Sequence, residues 1–248
     1  MAPRRVVFMG GNGHCSGRLA LARPALAAAG MEIVDVAYPG FEGRPRAKDL
    51  DGFLGGLSGQ ATAAGGNGGL VYATGIGGLI ALCLRARGEL LDVPLLLQAP
   101  VLWGLERRLM PRLMRLRVAR ATARGLFATS PFQRRFVRRH FMRPLSAESA
   151  AAFFEGYALC AAFADFFAWF TPNLLRDLEA RLRQRPEALR RVSAWWGGRD
   201  RVVTSDELRW TAAALGTTWP LRVFPDWGHY PMIDDPEGWA RALRAEAG

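Results

Sequence analysis

The chain is short of the residue types that usually announce a chemistry. Its 248 residues include three cysteines, three histidines and a single lysine, Lys48. Cys15, Cys83 and Cys160 cannot build a disulfide framework. They fit a reducing compartment, where a free thiol acts as a small buried hydrophobe. The three cysteines and three histidines are scattered, with none of the close spacing that metal ligation requires, so no metal is expected. Long apolar runs are also missing. The most apolar segment, from Ala150 to Phe170, is interrupted by Glu155, Gly156 and Asp165, so no span of about 20 apolar residues exists to cross a membrane. Met1 to Arg5 is basic, but the apolar run Val6–Met9 is too short for a signal sequence. A cytoplasmic protein is expected.

What is present is an ordinary globular composition, 50% hydrophobic and 22% charged, with a formal net charge of +11. That excludes disordered, collagen-like and coiled-coil chains, and the length allows one large core. The short apolar run Arg5–Met9 ends in Gly10-Gly11-Asn12-Gly13 and reads as a buried strand running into a loop. Leu19 to Ala29 reads as a helix stopped by Gly30. Glu32–Tyr38, Leu70–Ala73, Val93–Val101, Val192–Trp196 and Leu221–Phe224 read as further strands. Ile76 to Arg87, part of Gly52 to Gly69, and Glu237 to Ala247 read as helices. Continuous apolar strands alternating with helices predict an α/β fold with a mostly parallel sheet covered on both faces. From Leu105 to Pro186 the pattern is helical only, which predicts a helical insertion between two strand units, a common place for an active-site cover.

Three segments carry candidate chemistry. Ala73-Thr74-Gly75-Ile76-Gly77-Gly78 has the layout of a nucleophile elbow, a tight strand-to-helix turn flanked by small residues, with Gly75 at its centre. Gly197-Gly198-Arg199-Asp200 sets a carboxylate just beyond a strand, where it can cap a turn or orient a histidine. Gly228-His229-Tyr230-Pro231 follows the last strand. The loop after the first strand, Gly10 to Gly17, matches a dinucleotide fingerprint only loosely and has no acid at the required offset, so no cofactor is expected.

In this order the segments resemble the α/β-hydrolase superfamily over nearly the whole chain. Met9-Gly10 matches the His-Gly of the oxyanion loop, with Met in place of His. Tyr38-Pro39-Gly40-Phe41-Glu42-Gly43 and Gln98-Ala99-Pro100 match further loops, and PDWGHYPMIDDP, from 225 to 236, is the most specific piece. The resemblance implies a core domain over 1–104 and 187–248 and a helical cap over 105–186. It implies a catalytic His229–Asp200 pair and an oxyanion hole from the backbone N–H groups of Gly11 and Ile76. It puts the nucleophile at Gly75, which has no side chain. His14, Cys15 and Ser16 on the oxyanion loop are a second set of candidates. Two functions stay open. One is a hydrolase or lyase using His–Asp general acid/base chemistry, without a serine nucleophile, on a small apolar or acyl substrate. The other is a catalytically inactive pseudo-hydrolase that binds a ligand or an anionic partner.

The charge is not spread evenly. Leu105 to Leu145 holds twelve arginines and one acid, Glu106, which accounts for the whole excess; the rest carries 21 basic and 21 acidic residues. The run from Leu105 to Arg120 puts Leu109, Leu113 and Leu116 on one face of a basic amphipathic helix. A second such helix starts at Ser130, as N-cap, and gathers Phe132, Phe136 and Val137. These helices suit a solvated outer face, an anionic membrane surface, or a phosphate-bearing partner such as a carrier protein or CoA. Nucleic acid is not expected, since no stacking platform or nucleic-acid motif appears. The aromatics Phe153, Phe154, Tyr157, Phe163, Phe166, Phe167, Trp169 and Phe170 suit core packing and an apolar pocket mouth.

Overall fold

A computed structural model describes residues 4–65, 69–114, 116–127, 129–158 and 165–247. Cys160, Phe163 and Arg115 lie outside the described residues. The first half runs β1 (Arg4–Met9), α1 (Ser16–Ala20), α2 (Arg23–Ala28), β2 (Met31–Asp35), α3 (Leu50–Gly65), β3 (Leu70–Thr74), α4 (Ile76–Ala86) and β4 (Leu95–Gln98). Six helices follow: α5 (Leu109–Met114), α6 (Arg117–Phe127), α7 (Ser130–His140), α8 (Ala147–Ala158), α9 (Asp165–Trp169) and α10 (Pro172–Gln184). The chain then returns to the sheet with β5 (Val192–Gly197), α11 (Ser205–Ala214), β6 (Leu221–Phe224), α12 (Pro231–Asp234) and α13 (Pro236–Glu246).

The six strands form one parallel sheet in the order β2-β1-β3-β4-β5-β6. Alternation along the strands divides the core. Val7, Met9, Val71, Ala73 and Leu97 pack under α3, α4 and α10. Val6, Phe8, Tyr72, Leu96 and Trp195 pack on the other face with Leu26 of α2 and Trp239 and Leu243 of α13. Arg85 of α4 is buried and holds the sheet's far end, donating to the carbonyls of Ala188, Arg190 and Val93. Burial pushes its guanidinium down to about 10.

Several sequence expectations change at their edges. The single helix expected over Leu19 to Ala29 is two, because Pro24 sits in the first turn of α2 and cannot donate an N–H to continue α1. The strand expected to reach Tyr38 stops at Asp35. Beyond it the chain turns inward, and the buried Tyr38 hydroxyl donates to the Gly10 carbonyl at 3.0 Å. The strand expected over Val93–Val101 keeps only Leu95–Gln98, since Pro94 precedes it and Ala99 takes φ +40°. Helix α11 escaped the sequence pattern. Its signals were Thr204 at the N-cap and Asp206 and Glu207 in the first turn. Between 105 and 186 every described element is helical. The first basic amphipathic helix is instead α5 and α6, and the N-cap of α7 is Thr129 in place of Ser130. No helix among the described residues is long and apolar enough to cross a membrane.

Candidate active site

The candidate residues gather at the carboxyl ends of the strands, where open parallel sheets place their ligands. Strand β3 ends at Thr74, and α4 begins at Ile76. Gly75 makes the turn between them at φ +56°, ψ −125°, a conformation that side-chain-bearing residues rarely adopt. The turn is pinned: Gly75 N–H donates to Gln98, and its carbonyl accepts from Val101 at 2.9 Å. Gly77 is required by crowding. A Cβ there would lie 2.3 Å from the Met9 carbonyl oxygen, so only glycine lets α4 start against the end of β1. A Cβ at Gly75, by contrast, would meet only Gly11 Cα, at 3.6 Å. Gly11 therefore faces Gly75 across the site. Ile76, as the first residue of α4, has no partner for its N–H within the helix.

Asp200 and His229 come together through a second glycine pair. A Cβ on Gly197 would stand 2.3 Å from the Trp227 carbonyl, and one on Gly198 would stand 2.9 Å from Pro225. Those two glycines let the loop from Pro225 to Gly228 pass tightly over the end of β5. His229 Nδ1 and Asp200 Oδ2 are then 2.8 Å apart, both residues buried at that contact. Asp200 also fills the structural role its position suggests: its Oδ1 accepts from the N–H groups of Val202 at 2.7 Å and Val203 at 3.1 Å. Burial raises this carboxyl, but the charge and hydrogen bond of His229 and the two N–H donors outweigh it and hold the group below the usual range. In the neutral imidazole, an ionised Asp200 that accepts from Nδ1–H leaves the lone pair on Nε2.

His229, Gly75, Gly11, Ile76 and His14 line one cavity of about 490 Å³, the size of a small-molecule site. Of the second candidate set only His14 belongs to it. His14 Nε2 lies 2.5 Å from Asp35 Oδ1, a second His–Asp pair at the end of β2. Cys15 is turned away: its thiol donates to the Ala152 carbonyl, and burial pushes it up. Ser16 is exposed and donates from both Oγ and N–H to Glu42. Neither is placed to attack a molecule in the cavity.

Other residues were not readable as site residues. His140, the last residue of α7, also lines the cavity, so all three histidines of the chain do. Its Nδ1 donates to the Phe136 carbonyl at 2.8 Å, its ring stacks on Phe136, and burial lowers its pKa, with smaller contributions from His229 and Arg139. Asp234, one turn past His229, is buried. Its Oδ1 accepts from Met142 N–H, its Oδ2 has no partner, and burial pushes the carboxyl up to about 6. Of the aromatic run, Tyr157 and Phe167 line the cavity, joined by Phe127, Phe132 and Phe136 of α6 and α7. Phe153, Phe154, Phe166 and Phe170 are core residues.

This architecture is that of an α/β-hydrolase: a parallel sheet, a strand–turn–helix elbow, and a His–Asp contact carried on the loops after the last two strands. Residues 6–242 match the model of the alpha/beta hydrolase family, and the chain belongs to that family. Solved structures with the same fold include a membrane phospholipase A described as a bacterial virulence factor (TM-score 0.65, 21% identity, 98% of this chain and 78% of that one). A loop variant of a haloalkane dehalogenase from Bradyrhizobium elkanii has TM-score 0.69 and 16% identity, covering 99% of this chain and 89% of the other. The thioesterase domain from the curacin biosynthetic pathway has TM-score 0.66 and 14% identity, covering 97% and 91%. At these identities the likeness is one of fold. No curated protein sequence matches the chain.

Proposed function

We propose that this protein is a hydrolase in which water, activated by His229, replaces a side-chain nucleophile, and that its substrate is an ester or thioester with an apolar acyl body. The observation that carries this is the 2.8 Å His229–Asp200 contact on the wall of a cavity that Gly75 also lines. Gly75 stands where the family's nucleophile would be, and it leaves the room a side chain would fill. In the proposed reaction His229 Nε2 takes a proton from water while the water oxygen bonds to the acyl carbon. The N–H groups of Gly11 and Ile76 hold the resulting oxyanion. Its collapse expels the alkoxide or thiolate, which recovers the proton from His229. Asp200 fixes the tautomer and steadies the imidazolium. His140, Asn12 and the aromatic residues line the same cavity.

The test is hydrolysis of a series of p-nitrophenyl acyl esters. His229→Ala should lower kcat/KM by about 10²–10⁴, the usual worth of a general base. An esterase activity that His229→Ala leaves unchanged would remove His229 from the reaction. Ligand binding without turnover in the wild type would favour the inactive pseudo-hydrolase.

The arginine-rich helices support a partner as well. Leu109, Leu116 and Val118 are exposed at 69%, 59% and 77%, and Leu126 at 53%, within the segment that carries the whole net charge. Exposed apolar residues among cations fit an anionic membrane surface better than a solvated outer face. Leu109→Ser/Leu116→Ser and Arg134→Gln/Arg138→Gln should each weaken co-sedimentation with phosphatidylglycerol vesicles. Equal binding to neutral vesicles would reject an anionic surface.

A further inference from the structure

The cavity wall has an unusual charge pattern. Among the described residues it contains five arginines, Arg18, Arg108, Arg135, Arg139 and Arg201, and no aspartate or glutamate. Arg108 is paired, with Glu207 at 2.5 Å. The other four make no ion pair with a carboxylate among the described residues. Arg135 and Arg139 sit one turn apart on α7, and both are exposed at the cavity's edge.

Arg18 is different, because it is 8% exposed. A charge taken that far from water costs free energy unless it is paired. Its Nε donates to the Phe153 carbonyl at 3.1 Å and its Nη1 to the Asn12 carbonyl at 3.0 Å. Its guanidinium lies over the rings of Phe153 and Tyr157, 4.0 and 4.6 Å from their centroids. These contacts orient the group between the oxyanion loop and α8, but they carry no full negative charge. Nη2 is buried and has no partner. An arginine on the cavity wall, fixed by two carbonyls and two aromatic faces and without a carboxylate partner among the described residues, is preorganised to take an anion. Asp200, Asp35 and Glu207 lie behind the wall, each against one of its residues, so the four arginines without a carboxylate partner are the cations left to draw an anion in.

We infer that the cavity takes a substrate bearing an anionic group, a carboxylate or a phosphate, on its apolar body, and that Arg18 anchors that group while Arg135 and Arg139 attract it at the mouth. This deepens the proposed hydrolase by naming its substrate class, and it rests on that site being the substrate site.

The test is binding, so it stands apart from whether turnover occurs. Isothermal titration would compare hexanoate, hexyl phosphate and the neutral hexanamide on the full chain. The wild type should bind an anionic probe at least ten-fold more tightly than hexanamide. Arg18→Gln should erase most of that preference, and Arg18→Lys, which keeps the charge and loses the fork, should retain part of it. Arg135→Gln/Arg139→Gln changes only exposed positions and so preserves the fold; it should reduce the preference several-fold. Tighter binding of hexyl phosphate than hexanoate identifies a phosphate, and the reverse a carboxylate. Equal affinity for hexanoate, hexyl phosphate and hexanamide, or no measurable binding of any of them, overturns the inference. So does a preference that survives Arg18→Gln intact. Ester hydrolysis without anion preference would leave the proposed reaction standing and remove only the substrate class. Anion preference without hydrolysis would do the opposite.

Discussion

Gly75→Ser is the perturbation that tests the elbow most directly, because its cost and its gain can be worked out separately. The cost is conformational. Gly75 sits at φ +56°, ψ −125°, and a residue with a side chain in such a sparsely populated region stores about 1–3 kcal/mol. Sterics add little, since the new Cβ would touch only Gly11 Cα at 3.6 Å, an ordinary contact. For a chain of this size the strain corresponds to a Tm lower by on the order of 5 °C. The gain is chemical: in the proposed reaction a hydroxyl on Cβ would replace the water that His229 activates, with the Gly11 and Ile76 N–H groups as the proposed oxyanion donors. Stopped-flow hydrolysis of p-nitrophenyl butyrate should then show a burst of p-nitrophenolate, and intact-protein mass spectrometry should trap the acyl group on residue 75. Gly75→Ala separates the two effects. It should show the same fall in Tm, no burst, and loss of the wild-type steady-state rate, because a methyl group would displace the proposed water. A Gly75→Ser protein as stable as the wild type would refute the strain estimate. A folded Gly75→Ser protein with no burst would refute the proposal that His229 serves as base for a group at position 75.

The buried carboxyl of Asp234 gives a pH prediction. Its folded pKa is raised to about 6, so the folded state holds the proton more strongly. The stability this contributes is present below the unfolded carboxylate pKa and is lost as pH rises through about 6. Asp234→Asn, which keeps an acceptor for Met142 N–H, should therefore match the wild type near pH 4 and exceed it by about 1–3 kcal/mol above pH 7, as read by urea unfolding at the two pH values. Arg85→Met would strand the carbonyls of Ala188, Arg190 and Val93 in the core. It should cost about 3–5 kcal/mol; a loss below 1 kcal/mol in the same assay would mean that water replaces the guanidinium.

The sheet was legible in the sequence because its strands are short apolar runs cut off by glycine and proline, and burial on both faces selects that pattern locally. The same holds for the two glycine-rich turns. Gly77, Gly197 and Gly198 are demanded by backbone that passes within atomic contact, and Gly75 by its positive φ; a glycine at such a turn shows in the chain before the turn itself is seen. Motif order alone suggested that Asp200 and His229 meet. Folding added that one carboxylate oxygen caps the Val202–Val203 turn while the other meets the imidazole, so both uses of that residue hold at once. Three features came only from tertiary structure. The early exit of β2 depends on where Tyr38 can be buried. Cys15 and Ser16 sit beside His14 in sequence, yet backbone direction sends one thiol toward Ala152 and one hydroxyl toward Glu42. Arg18 and His140, 122 positions apart by their numbers, line one cavity. Sequence locates the net charge in one segment; which arginines face a cavity without acids is fixed by the packing of the helices over the sheet, since side-chain direction in a helix becomes a site only once its neighbours are in place.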